Sequence, residues 1–345
     1  MKLFRNPHLL IISLFVFLLS GSFQALAQKG KVKLSCIAFY NLENLFDTID
    51  DPKTNDADFL PSGKNSWTRE RYNTKLAKMA GVIAKIGSGS VAGGPSVIGL
   101  AEVENRGVLE DLIKTAPLDE KGYQIVHYDS PDERGIDVGL LYKPSVFKVI
   151  NITSNQLFIA GQPDFLTRDQ LVVTGELEGD QISIIVNHWP SRYSGPEYRA
   201  AAAKLSRHLI DSLIVKNKNA KIFLMGDLND DPADSSVAVV LGAKGQRQDV
   251  KKGELYNPMW EIHQSGIGSL SYKGKWNLFD QIIITEPLIN KRGKGWKFQR
   301  AAVYNEKFLL EQEGKYAGNP FRTFAGGKYL NGYSDHLPSF LILSR

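Results

Sequence analysis

The sequence predicts an α/β sandwich, with two β-sheets packed face to face and helices on the outside. Three observations carry this. Strand-like segments outnumber helical ones along the chain. Runs such as "ISIIV" and "KIFLM" are apolar without alternation, as expected of strands covered on both faces. The helical stretches are amphipathic, which suits helices laid over a sheet by one face.

The elements follow in order. Residues 1–27 read as an export leader rather than as part of the fold. Lys2 and Arg5 precede an apolar core from Leu9 to Leu19, and "ALA" at Ala25–Ala27 offers the small residues a signal peptidase needs. The apolar core is shorter than the roughly 20 residues a membrane span requires. Cys36 lies too far downstream to be a lipidation site. Residues 28–345 then form one domain. A strand is expected from Val32 to Tyr40, followed by the acidic, turn-rich loop "TIDDPKTNDADFLPSGKNS". In "WTRERYNTKLAKMAGVIAKI", Tyr72, Leu76, Met79, Ile83 and Ile86 make one apolar stripe, and Thr68 is placed to cap the helix. "SVIGLAEVEN" reads as a short buried strand and "GVLEDLIKTA" as a short helix. "YQIVHYD", "IDVGLLYK", "FKVINI", "DQLVVTGEL" and "QISIIVNHWPS" are strand-like. "GPEYRAAAAKLSRHLIDSLIVKN" is a long amphipathic helix. "KIFLMGDLND", "LFDQIIIT" and "HLPSFLIL" complete the strands.

Composition excludes several classes. The formal charge is +5, and +3 once Lys2 and Arg5 are removed, too mild to indicate nucleic acid by itself. The single cysteine, Cys36, excludes an intrachain disulfide framework and reads as a small buried apolar residue. No GxxxxGK[ST], GxGxxG, GxSxG or HExxH pattern occurs, which leaves nucleoside triphosphates, dinucleotides, a serine elbow and the usual zinc sites without support.

The chemistry gathers at strand ends. Asn41, Glu102, His188, Asp227, Asn229, Asp280, Asp335 and His336 each stand at the edge of an apolar run. Singly, each reads as a turn or cap residue. Together they read as one site at a common sheet edge. Glu102 and Asp335 are hard oxygen ligands suited to Mg²⁺, Mn²⁺ or Ca²⁺. Histidines beside acids suit acid–base chemistry, and a hard cation with amide donors suits phosphoryl transfer.

The ordered set "FYNLENLFD", "GLAEVEN", "IVNHWPSR", "MGDLNDDP", "FDQIII" and "SDHLP" resembles the endonuclease/exonuclease/phosphatase superfamily, over essentially all of residues 28–345. "NLENLFD" and "HWPSR" are similar to segments of predicted extracellular bacterial nucleases. The resemblance implies a deoxyribonuclease I-like four-layer sandwich and a metal-dependent phosphodiester hydrolase. It implies that Glu102, Asp335 and Asn41 bind the metal. It implies that His188, Asp227, Asn229, Asp280 and His336 are catalytic, with Asp280 orienting His336. The resemblance further implies that Arg168 meets a phosphate, with a surface pair to Asp169 as the alternative, and Asp137 is a candidate to orient His188. Trp189 is a candidate to stack on a base and Arg192 to hold a flanking phosphate, with packing and a salt bridge as the alternatives. Tyr272 and Trp276 either line the cleft or only pack, while His127, His208 and His263 read as structural or surface residues. We expect an exported monomer, periplasmic or secreted and not inserted in a membrane after leader cleavage, with DNA as substrate and RNA as a second candidate. A phospholipid or inositol-phosphate phosphodiesterase on the same scaffold is the alternative. The intact polar set argues against a catalytically idle binding protein.

Overall fold

A computed structural model describes residues 32–345. The expected leader, 1–27, lies outside the described residues. The first strand, β1 (Leu34–Leu45), runs past the expected end at Tyr40, so Asn41 lies within the strand. The extension is irregular. Glu43 and Asn44 take positive φ, and the pairing with β2 (Val97–Val103) shifts register between Asn41 and Leu45.

Two mixed sheets form. In the first, β1 lies between parallel β2 and antiparallel β17 (Ser339–Ser344). β4 (Asp137–Tyr142) and β3 (Gln124–His127) extend it on one side, and β14 (Lys297–Val303) closes the other. The second sheet runs β5 (Phe147–Asn155), β6 (Gln170–Leu177), β7 (Asp180–His188), β8 (Lys221–Asp227), β13 (Asp280–Thr285), β10 (Leu255–Tyr256), β9 (Ala243–Lys244). β7 and β8 are parallel, and β13 returns antiparallel to β8. The unbroken apolar runs thus fall on central strands.

Three apolar clusters define four layers. Between the sheets, Ile37, Phe39, Ala101 and Leu341 of the first pack on Val173, Val186, Phe223 and Ile282 of the second. Gly99 sits where the sheets approach: a Cβ there would lie 2.6 Å from Met225 Sδ. Outside the first sheet, α1 (Arg69–Ile83) buries the expected stripe of Tyr72, Leu76, Met79 and Ile83, and α2 (Arg106–Lys114) adds Val108, Leu109 and Leu112. Thr68 caps α1 as expected, its hydroxyl accepting the Arg71 N–H. Outside the second sheet, α3 (Pro196–Lys216) buries Ala202, Ala203 and Ile210. Each fully buried Leu, Ile, Val or Met side chain contributes about 1.5–3 kcal/mol, and each alanine methyl about 0.8. The fold is the predicted deoxyribonuclease I-like sandwich.

Several elements were not legible. β14 is an edge strand with exposed Gln299 and Arg300 and a bulge between Phe298 and Arg300, so it lacks a clean period of two. The helix α4 (Met259–Gln264) and the hairpins β11 (Leu270–Tyr272)–β12 (Lys275–Asn277) and β15 (Phe324–Ala325)–β16 (Lys328–Tyr329) are too short to show periodicity. Among the described residues, no helix is long and apolar enough to cross a membrane. Cys36 is fully buried, which pushes its thiol up to about 12.

Candidate active site

Sheet register assembles the site. His188 ends β7, Asp227 ends β8 and Asp280 begins β13. Asp227 is the direct partner of both, parallel to His188 and antiparallel to Asp280. Residues on one rung project to the same face, so three functional side chains emerge together. The opposing sheet supplies Asn41 and Glu102. The segment before β17 supplies Asp335 and His336. Ser334 pins that segment to β1 by donating to the Asn41 carbonyl at 2.8 Å.

The contacts are close. Asn41 Nδ2 donates to Asp227 Oδ2 at 3.0 Å, joining the two sheets. Asp227 Oδ1 accepts the Asn229 N–H at 3.0 Å. His336 Nδ1 lies 2.7 Å from Asp280 Oδ2, and its Nε2 lies 3.8 Å from both Asp227 Oδ2 and Asp335 Oδ1. His188 Nε2 is 3.7 Å from Asp227 Oδ2 and 4.0 Å from Glu102 Oε1. Glu102, His188, Asp227, Asn229, His336 and Arg168 line one cleft of about 310 Å³.

The backbone is strained at this edge. Glu43, Asn44, Glu102 and Asn229 have φ of 50°, 55°, 59° and 51°. Such angles are uncommon for residues with a side chain and concentrate where surrounding structure enforces them. Here Asn44 N–H donates to Glu102 Oε2 at 2.9 Å, so two strained residues hold each other.

Burial and neighbours split the titrating groups. Burial works to lower the His336 pKa, but Asp280, Asp227 and Asp335 outweigh it and hold the imidazole well above its usual range. Burial, with Arg168, Arg134 and His336 adding repulsion, holds His188 well below the usual range. Burial pushes the Asp227 carboxyl up to about 7 against the pull of His336. Burial also works to raise Asp335, but His336 and Arg322 overcome it and keep the carboxyl below its usual value. The site therefore holds a charged His336, a neutral His188 and a carboxylate poised near neutrality.

The donor set fits a hard divalent cation. Glu102 Oε2 is taken by Asn44, and Asp335 Oδ2 by Arg322, which leaves Glu102 Oε1 at the cleft and Asp335 Oδ1 3.8 Å from His336 Nε2. Carboxylate oxygens without a thiolate suit Mg²⁺, Mn²⁺ or Ca²⁺. Asn41 serves mainly to join the sheets: its Oδ1 accepts the Glu43 N–H at 2.9 Å while its amide holds Asp227.

Four assignments change. Asp137 does not orient His188. It lies 3.0 Å from His127 Nε2 and accepts the Ser130 N–H, because β3 and β4 pair His127 beside it. Trp189 is 1% exposed, donates to Asn187 Oδ1 and packs under α3, so its ring has no open face for a base. Arg192 is held by Asp230, Asp231 and Asp234 and lies over the Phe279 ring, so its charge is already matched. It braces the loop that carries Asn229, donating to the Asn229 carbonyl at 3.2 Å. Arg168 lines the cleft, but its guanidinium is fixed to Asp132 and to the Trp189 carbonyl. Trp276 packs on the first-sheet core, while Tyr272 is exposed beside Asp335.

Sequence reasoning missed the group behind Asp335. Glu43, Lys75 and Arg322 form a partly buried charge array. A lysine inside an apolar helical stripe was the one available signal, since Lys75 is 2% exposed.

The sequence matches a family model described as the endonuclease/exonuclease/phosphatase family over residues 36–345. This chain belongs to that family. Solved family folds agree. A mannosyl-6-phosphatase of Bacteroides thetaiotaomicron superposes with a TM-score of 0.55 at 15% identity, covering 90% of this chain and 99% of that one. A Bacteroides thetaiotaomicron endonuclease/exonuclease/phosphatase family protein gives 0.54 at 16% identity, covering 91% and 96%. D. rerio TDP2 complexed with single strand DNA product gives 0.53 at 15% identity, covering 90% and 99%. Among curated proteins, none matches the sequence. Membership makes the chain a hydrolase of the phosphoesterase type.

Proposed function

We propose that this protein is an exported, metal-dependent phosphodiesterase that cleaves DNA, with RNA as a second candidate, by in-line attack of water. The observation that carries the chemistry is the Asp280–His336–Asp227 row, whose His336 and Asp227 line the cleft with Glu102 and whose His336 Nε2 lies 3.8 Å from Asp335 Oδ1. Bound Mg²⁺, Mn²⁺ or Ca²⁺, held by Glu102 and Asp335, would supply positive charge to a phosphate oxygen. The remaining work falls to the protein. Asp227, near 7, accepts the proton of the attacking water. Asn41 and Asn229 hold Asp227 in place by hydrogen bonds. Asp280 keeps His336 charged, so His336 neutralises charge developing on the phosphate rather than acting as the base. His188 is neutral and donates a hydrogen bond without adding charge.

The two named neighbours bracket the substrate: one is held with single-strand DNA product and the other is a mannosyl-6-phosphatase. Export rests on the leader pattern of residues 1–27. The test is supercoiled plasmid with Mg²⁺, Mn²⁺ or Ca²⁺, with and without EDTA, beside His336→Ala. Metal-dependent nicking that His336→Ala loses supports the reading. A folded protein that leaves plasmid intact but hydrolyses sugar phosphates, inositol phosphates or sphingomyelin overturns the nucleic-acid part. Amino-terminal sequencing of the mature protein tests export, with Gln28 as the expected first residue.

A further inference from the structure

We propose that the groove beside Asp335 is a stacking subsite for unpaired nucleotides, so that the enzyme takes nucleic acid as a single strand. The inference rests on the nucleic-acid reading above and narrows its substrate.

The groove encloses about 470 Å³. Asp335 forms part of its wall, and Asp335 Oδ1 lies 3.8 Å from His336 Nε2, so the groove adjoins the reacting centre. Two arms build it. The first is the β11–β12 hairpin. Leu270 bridges to His336, and the Leu337 N–H donates to the Ser269 carbonyl at 2.7 Å, which ties the base of the hairpin to the segment that carries His336. Trp276 anchors it by packing on the first-sheet core. Its tip is Lys273–Gly274, with φ of 50° and 77°, the geometry of a two-residue turn in which asparagine usually takes the first place. Lysine there carries strain that asparagine would lessen, and what it adds is a charge at the tip. The second arm spans residues 309–321. Its stem is paired: the N–H groups of Glu311, Gly318 and Phe321 donate to the carbonyls of Asn319, Glu311 and Leu309, each at 2.8 Å.

Both arms present the same two side chains. Tyr272 and Tyr316 line the groove and are 64% and 49% exposed. Lys273 Nζ lies 5.2 Å from the centre of the Tyr272 ring, and Lys315 Nζ lies 5.5 Å from that of Tyr316. Among the described residues, neither lysine pairs with a carboxylate. Arg322 also lines the groove, but Asp335 holds it. An exposed ring beside a free cation, repeated on two walls, matches a strand whose bases stack on the rings and whose phosphates meet the cations. In a duplex the faces of each base are covered by its neighbours, so only an unpaired base can stack there. A sugar monophosphate brings one phosphate, which the reacting centre takes, and leaves Lys273 and Lys315 unmatched. Supercoiled plasmid remains a substrate through the segments that supercoiling helps to unpair.

The test compares three substrates with Mg²⁺ present: bis(p-nitrophenyl) phosphate, a short single-stranded oligonucleotide, and the same sequence as a duplex. The wild-type chain is expected to have the lower KM on the single strand. Tyr272→Ala and Tyr316→Ala should each raise that KM by about tenfold, the worth of one lost stack. Both should leave kcat/KM on bis(p-nitrophenyl) phosphate within about twofold, which also reports an intact fold. Tyr272→Phe, which keeps the ring, should keep the wild-type KM. Lys273→Gln and Lys315→Gln should each make the salt dependence of single-strand binding shallower by about 0.7 in log–log slope. Equal use of strand and duplex by the wild-type chain, or folded alanine variants with single-strand KM within about twofold of wild type, overturns the proposal. If an alanine variant does not fold, the wild-type preference and the lysine slopes decide, and unchanged slopes are refutation. A wild-type chain that hydrolyses bis(p-nitrophenyl) phosphate but neither oligonucleotide overturns the nucleic-acid reading itself, an outcome distinct from oligonucleotide cleavage that ignores the tyrosines. Sugar-phosphate hydrolysis that depends on the two tyrosines would assign the groove to sugars and overturn the proposal.

Discussion

Asp280→Asn isolates the support that Asp280 gives His336. The two side chains are 2.7 Å apart, and Asp280 is fully buried. At an effective dielectric of about 20, opposite unit charges at that distance attract by about 6 kcal/mol, which is about four pKa units. Asparagine keeps the shape and can still accept the Nδ1–H, but it removes this attraction. Asp227 and Asp335 remain 3.8 Å from the other ring nitrogen and continue to favour the charged form. Their pull, and the solvation the charged ring recovers, leave a net loss of roughly 2–3 kcal/mol, the range of a buried charge-assisted hydrogen bond. The His336 pKa should then fall. If the charged ring stabilises the reacting phosphate, kcat should fall about 30- to 150-fold, since each 1.36 kcal/mol is tenfold. The assay pairs an NMR titration of the His336 ring with single-turnover DNA cleavage at pH 8. A titration within about half a unit of wild type, or a kcat within about threefold, would refute the role given to Asp280.

Other outcomes follow from the same geometry. With Asp227 as the base and its pKa near 7, kcat/KM should rise about tenfold per pH unit below 7 and level off above it; a flat profile from pH 5 to 8 would exclude Asp227. Burial pushes Glu104 up to about 8, with Asp47, Asp56 and Asp51 adding repulsion to that of burial, from an unfolded value near 4.5. The folded chain therefore holds a proton that the unfolded chain releases, and this contribution is lost as pH rises from about 4.5 through 8. Glu104→Gln should match wild type at pH 4.5 and be more stable at pH 8.5, by up to about 5 kcal/mol if the whole shift is expressed at about 1.36 kcal/mol per unit, read by urea denaturation; equal stability at pH 8.5 would contradict the burial argument. Gly226→Ala would put a Cβ 2.3 Å from the Asn187 carbonyl oxygen, on the strand residue before Asp227. A loss of about 2–4 kcal/mol in thermal unfolding is expected, and a loss under about 0.5 would mean the strands can separate freely there. Arg192→Gln should leave the salt dependence of DNA binding unchanged, because Asp230, Asp231 and Asp234 already hold that charge. A slope shallower by about one would return Arg192 to the phosphate contacts.

The sequence carried the layers because central strands and covering helices differ in period. "KIFLM" and "ISIIV" read as strands covered on both faces, and the Tyr72–Ile83 stripe as one helix face, and both are buried so. Polar residues at the ends of such runs stand out, so Asp227, His188 and Asp280 were visible. The errors share a cause: they required knowing which neighbour the fold brings to a residue, near or far along the chain. Asp137 belongs to His127 through the β3–β4 register, and Trp189 is covered by a helix that begins seven residues later. Glu43, Lys75 and Arg322 meet from a strand, a helix and a loop, the first and the last being 322 − 43 = 279 positions apart. No local pattern reports such a meeting.

The placement of the site at strand ends has a physical consequence for its chemistry. A carboxylate held near 7 and an imidazole held charged are both costly arrangements, and they sit 3.8 Å apart. In a loop, small backbone movements would relax both. Asp227 and Asp280, which holds His336, stand on one rung of a sheet and cannot move so, because a shift of one residue would turn every side chain on that strand to the opposite face. The inter-sheet core fixes the remaining distances, since the Asn41–Asp227 bond joins strands from different sheets. Rigidity in this protein is therefore a property of the hydrophobic interior that the active edge borrows. A substitution deep between the sheets should disturb proton chemistry at Asp227 and His336 before it disturbs the polar contacts made on the surface.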